Sequence, residues 1–97
     1  GMGPVLQIAD DKPCYTLADR GTWLARRKRL SLMLLYAGDA ALLNPYHVIR
    51  VNPARHPHVQ ADAARAYADF LTGPVAQGLI AAFRIDGEAL FVPNAVP

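Results

Sequence analysis

Seven consecutive residues, Leu30-Ser31-Leu32-Met33-Leu34-Leu35-Tyr36, carry six apolar side chains with no polar alternation, and this run constrains the fold more than any other feature. A strand with one wet face alternates polar and apolar positions. A continuous apolar run of strand length is instead expected to be buried on both faces, as in a parallel or mixed sheet under helices. The run is much shorter than the roughly 18–20 residues a membrane helix needs. Gly38-Asp39 closes it with a turn signal, and Pro45 leads into a second expected strand, Tyr46 to Asn52, which stops at Pro53.

The rest of the chain reads largely as helix. Val5, Leu6, Ile8 and Ala9 form a stripe within a short helix from Pro4 to Lys12, broken by Asp10-Asp11-Lys12-Pro13. Thr16, followed three residues later by Asp19, forms a near capping box that opens a helix through Trp23 and Leu24 to about Lys28. Its last turn, Arg26-Arg27-Lys28-Arg29, places cations where the helix dipole favours them. Val59 to Leu71 carries Ala63, Ala64, Tyr67, Phe70 and Leu71 at helical spacing. Thr72-Gly73 ends that helix, and Pro74 starts another, Val75 to Phe83. Arg84 to Pro93 reads as short extended pieces around an Asp86-Gly87 turn. Helices alternating with strands give an α/β fold, a short mixed sheet flanked by helices.

Composition sets the scale. Ninety-seven residues make one domain or part of one, and 53% apolar against 19% charged residues excludes a disordered chain. A chain of this length hides only about 60–65% of its unfolded surface. So high an apolar content therefore leaves surface seeking cover, and self-association into a dimer or larger assembly is expected. Ten Lys and Arg against eight Asp and Glu give a net charge of +2, well short of a dense nucleic-acid footprint. Cys14 is the only cysteine, so neither an intramolecular disulfide nor a Cys-based zinc site is available.

Chemistry is most concentrated in Tyr15-Thr16-Leu17-Ala18-Asp19-Arg20-Gly21-Thr22-Trp23. A helix N-terminus offers unpaired amides and a positive dipole end to an oxyanion; Thr16 adds a hydroxyl and Arg20 a fixed charge. On spacing alone the same residues read more readily as a cap and a surface ion pair. This stretch, with Gly1-Met2-Gly3, Gly38-Asp39, Leu43-Asn44-Pro45-Tyr46, Val51-Asn52-Pro53 and His56-Pro57-His58-Val59, closely resembles the C-terminal part of tungstate ABC-transporter substrate-binding proteins. Phe70-Leu71-Thr72, Gln77-Gly78-Leu79-Ile80, Phe83 to Gly87, Leu90-Phe91 and Pro93-Asn94-Ala95 continue the resemblance along the chain.

The resemblance implies a partial type II periplasmic-binding-protein-like fold, whose two lobes clamp a tungstate- or molybdate-type oxyanion with neutral donors, helix N-termini and an arginine. Residues 1–36 would belong to the second lobe and residues 37–97 to the return into the first. Tyr15, Thr16, Asp19, Arg20, Asn44 and Tyr46 are the ligand-binding residues it implies, though Asn44-Pro45-Tyr46 also reads as a plain turn feeding a strand. The family's Thr/Ser-rich anion loop and its Ser-Arg-Gly-Asp segment have no counterpart here, which implies impaired or absent ligand binding by the chain on its own. An ABC transporter permease is the implied partner and the periplasm or cell exterior the implied location. The N-terminus lacks a signal-peptide pattern, so a chain complete as it stands would be cytoplasmic. No cofactor is expected.

A second reading takes Arg26 to Arg29 as the grip of a small basic module on nucleic acid or a protein partner. Few aromatics are interleaved there, and a solvated helix end accounts for the run more simply. His56-x-His58 lies in a Pro-rich loop without a nearby acidic or Cys cluster and is not expected to bind metal. Asp86 and Glu88 flank Gly87 with no sign of the cleft an acid/base pair needs, and no nucleophile constellation appears. A binding protein rather than an enzyme is expected.

Overall fold

A computed structural model of the chain describes residues 1–95. The chain divides into two compact units: Gly1–Pro45 with Arg84–Leu90, and Tyr46–Phe83 with the tail from Phe91.

In the first unit, α1 (Met2–Asp11) places Gly3, Leu6 and Ala9 on one buried stripe at a spacing of three residues. Pro13 has no amide to continue the helix, and the Cys14 amide bonds back to the Ala9 carbonyl at 3.1 Å. The stripe packs against α2 (Arg20–Arg26), whose buried residue is Leu24. Gly3 permits the close approach, because a Cβ there would stand 2.6 Å from the Arg26 guanidinium carbon. The chain tightens after α2 into a 3₁₀ turn, Arg27–Arg29, as the amphipathic pattern runs out.

The sheet is smaller than the sequence suggests. β1 (Arg84–Ile85) and β2 (Glu88–Ala89) pair antiparallel, with Arg84 opposite Ala89 and Ile85 opposite Glu88. The Asp86-Gly87 turn expected from the sequence joins them, both residues at positive φ, +50° and +79°, as a tight right-twisted hairpin demands. The expected mixed sheet is therefore corrected to a two-stranded antiparallel one among the described residues.

Leu30–Tyr36 is not a strand here. The Leu30 amide bonds to the Arg27 carbonyl and the Ser31 amide to the Asp10 carboxylate at 2.9 Å, but no ladder follows. Met33 is 76% exposed. The physical reason is that a strand, unlike a helix, satisfies its backbone only through a neighbour, and no described segment supplies one. At the end of this run the Tyr36 hydroxyl donates to Asp39 at 2.5 Å. Asp39 also accepts from the Ala41 amide at 2.8 Å and so caps a 3₁₀ turn, Ala40–Leu42. Bonding to Asp39 raises the Tyr36 pKa, and the same bond lowers that of Asp39.

In the second unit, Tyr46–Asn52 also lacks a strand partner, for the same reason. The Asn52 side chain accepts from the Ala54 amide at 2.9 Å, turning the chain toward α3 (Ala61–Thr72). Gly73 separates α3 from α4 (Pro74–Ala82), with Pro74 in the first helical position, where a missing amide costs nothing. Gln77 staples the corner by donating to the Leu71 carbonyl at 2.8 Å, and it accepts from the Ala95 amide at 3.1 Å. Among the described residues, Ala76 is the buried apolar residue of this unit.

Leu24 is 3% exposed and Leu34 is 59% exposed, so their truncations separate core from surface. Leu24→Ala is expected to cost about 2–3 kcal/mol, and Leu34→Ala less than about 0.5 kcal/mol. Urea unfolding followed by circular dichroism measures both.

Candidate functional site

The stretch carrying the oxyanion expectation runs from the loop after α1 into the first turn of α2. Tyr15 and Thr16 are exposed, and the Thr16 hydroxyl donates to the neighbouring Leu17 carbonyl at 3.3 Å. The near capping box is therefore corrected: Thr16 does not cap α2, and Asp19 does. One Asp19 oxygen accepts from the Thr22 amide at 2.8 Å and from the Thr22 hydroxyl at 2.9 Å. A carboxylate accepts more strongly than a hydroxyl, and Asp19 sits three residues before the amide it must reach. The Thr22 amide bond holds the Asp19 carboxyl below its ordinary pKa, against a smaller opposing effect of desolvation. The N-terminus of α2 thus already holds an anionic group of its own, which leaves the Arg20 and Gly21 amides as its remaining donors.

Arg20 is one residue further along, and its charge is not free. Its Nε donates to the Ala89 carbonyl at 3.1 Å, and its guanidinium stands 3.6 Å from Glu88. The other Glu88 oxygen meets Arg27 at 3.3 Å, and Lys28 meets Asp86 at 3.1 Å. The β1–β2 turn is thus clamped to α2 and the 3₁₀ turn behind it. With the Arg20 side chain 57% exposed, each such pair is worth only about 0–1 kcal/mol. Their effect is to fix the hairpin's position and to compensate the charge of Arg20.

No hydrogen bond or ion pair joins exposed Asn44 to Tyr15–Arg20. Tyr46 belongs to the second unit, where its ring meets that of Phe91 edge-on with centroids 5.7 Å apart. The six expected ligand residues therefore resolve into a contiguous group, Tyr15, Thr16, Asp19 and Arg20, and two others with different surroundings. Thr22 and Glu88 were missed. The spacing Asp19-x-x-Thr22 carries the cap signal as plainly as Thr16-x-x-Asp19 does. The Glu88 partnership with Arg20 has no local signal, because it spans 68 positions of chain.

The basic run also changes meaning. Arg27 and Lys28 are taken up by Glu88 and Asp86, and Arg26 lies against Gly3, so the grip on nucleic acid proposed for Arg26–Arg29 has lost cations to the protein's own fold. The rings of His56 and His58 meet edge-on with centroids 6.1 Å apart. Residues 48–53, Ala61 and Arg65 line an open cavity of about 460 Å³ in the second unit.

A family profile described as a PBP superfamily domain matches residues 1–75. A protein of Haloferax volcanii described as an ABC transporter anion-binding protein is 46% identical over 101 residues, covering 99% of this chain and 30% of that protein. The tungstate-binding protein TupA of Peptoclostridium acidaminophilum is 40% identical over 98% of this chain and 34% of its own length. TupA of Campylobacter jejuni is 30% identical over 98% of this chain and 37% of its own length. The chain spans about a third of each of these relatives. No solved structure matches it significantly.

The Asp19 cap makes a pH-dependent prediction. Because the folded pKa lies below the ordinary value of 3.8, this contribution is fully present above that value and is lost as pH falls through the folded pKa. Asp19→Ala should cost about 1 kcal/mol at neutral pH. The gap between the two proteins should close as the solution is acidified below pH 4 or so, as measured by urea midpoints across a pH series.

Proposed function

The chain belongs to the PBP superfamily, and from that premise we propose that it forms part of an oxyanion receptor serving an ABC transporter, with a tungstate- or molybdate-type tetrahedral anion as ligand. The observation that carries this reading is the reach of the similarity. Identities of 46% and 40% to an anion-binding and a tungstate-binding protein run over 99% and 98% of the chain rather than over one patch. In this reading the protein is not a catalyst. It works outside the cytoplasmic membrane and delivers its anion to the transporter's permease.

The local geometry supports a contributing role for Tyr15, Thr16 and Arg20. Thr16 and Arg20 are exposed in one unit, Arg20 in the first turn of α2 and Thr16 in the loop that leads into it. A dianion approaching them meets Asp19 and Glu88 as well, and like charges held close weaken binding. The chain alone is therefore a poor anion site, and strong binding needs donors from the remainder of the receptor. Residues 1–36 belong, in this reading, to the second lobe, and residues 37–97 return to the first.

A chimera tests this directly. The 97 residues of this chain replace the matched third of the Peptoclostridium acidaminophilum relative, and calorimetry follows tungstate, molybdate and sulfate. Tungstate or molybdate binding is expected, weakened at least about tenfold by Arg20→Ala through loss of a charge-assisted contact. The chain alone should give no heat or only weak heat. A chimera that is folded by circular dichroism and binds neither anion would overturn the reading.

A further inference from the structure

Glu88 stands between two guanidiniums that hold it unequally. Arg27 donates to one of its oxygens at 3.3 Å, while the other oxygen lies 3.6 Å from Arg20, beyond hydrogen-bond reach. The Arg27 side chain is also the less exposed of the two, 29% against 57%, so its charge is less screened. Glu88 belongs to β2, whose pairing with β1 fixes its backbone. Its carboxylate is therefore anchored by groups other than Arg20.

Arg20 is anchored without Glu88 in turn. Its Nε donates to the Ala89 carbonyl at 3.1 Å, so a neutral backbone oxygen sets where the guanidinium lies. The terminal N–H groups of a guanidinium remain donors when Nε is engaged, and those of Arg20 make no hydrogen bond to Glu88. Position and charge balance at Arg20 thus come from adjacent residues by separate means: Ala89 orients the side chain and Glu88 offsets its charge.

We infer that Glu88 sets the strength and the charge preference of anion binding at Arg20. Its fixed carboxylate repels a doubly charged oxyanion twice as hard as a singly charged one of the same shape, and so holds down the affinity for tungstate- or molybdate-type dianions. The inference rests on the reading of Arg20 as an anion contact in the receptor. An anion on the free edge of the guanidinium lies on the order of 7 Å from the carboxylate, by ordinary charge-assisted hydrogen-bond lengths. In water, repulsion over that distance lowers affinity about threefold for one charge and about sevenfold for two.

Glu88→Gln tests this, because it removes the charge and keeps an oxygen for Arg27. Tungstate and perrhenate are tetrahedral oxyanions of similar size that differ by one charge, so comparing them separates charge from shape. In the chimera described above, calorimetry at low salt should show Glu88→Gln binding tungstate roughly fivefold to tenfold more tightly and perrhenate only about twofold to threefold. Added salt should bring the two gains together. If Glu88 served instead to position Arg20, the same substitution would weaken both anions. Weaker binding, no change, or an equal gain for the two anions would each overturn the inference, while a chimera that still binds tungstate through Arg20 leaves the proposed function standing. The 97-residue chain alone carries the same groups. Titration of its Arg20 Nε–H resonance with millimolar tungstate and perrhenate should show the same order of gains. That result with a chimera that binds neither anion counts against the proposed receptor and supports the role of Glu88. An Arg20 resonance that neither anion moves, with Glu88 or with Gln in its place, overturns the inference.

Discussion

Each backbone amide and carbonyl taken from water needs a partner, and the two ways of supplying one divide this chain. A helix closes its hydrogen bonds within a single segment, so α1, α2, α3 and α4 need no second segment to satisfy their backbone, though helices this short still depend on packing one against another. A strand borrows its bonds from another segment, and among the described residues only Arg84–Ile85 and Glu88–Ala89 find each other, across a two-residue turn. Leu30–Tyr36 and Tyr46–Asn52 have the composition of strands without the neighbours that would make them so.

The first unit is organised around a small seam and a set of ionic ties. Leu6, Ala9 and Leu24 form its buried apolar contact, with Gly3 admitting the Arg26 guanidinium. Glu88 then receives two guanidiniums, those of Arg20 and Arg27, while Asp86 takes Lys28. These pairs are too exposed to add much stability, but they decide where the hairpin lies and how much positive charge remains at α2. In the reading proposed above, an anion arriving at Arg20 would compete with Glu88 for the same guanidinium.

Much of the helical layout was legible in the residues. The stripe of Leu6 and Ala9, the Thr72-Gly73-Pro74 boundary and the Asp86-Gly87 turn act within a few residues of their own position, so their outcome shows in local spacing. The α2 cap was half legible: the right stretch was identified but the wrong residue chosen, because Thr16 and Asp19 both have cap chemistry and only the geometry shows which reaches Thr22. For the candidate site, the grouping of Tyr15, Thr16, Asp19 and Arg20 followed from their adjacency. The role of Glu88 did not, since nothing near it in sequence points to Arg20.

By itself the sequence determined the helices, the turns, the apolar excess and, through motifs running along the chain, the kinship with anion-binding proteins. Those properties are local or compositional, so their signals lie within a few residues of where they act. Only the tertiary structure decided that Asp19 caps α2, that Arg20 and Arg27 share Glu88, and that Leu30–Tyr36 stands open. Each of these depends on which distant groups come within bonding distance, and an apolar run specifies what it needs as a neighbour without specifying that the neighbour is there.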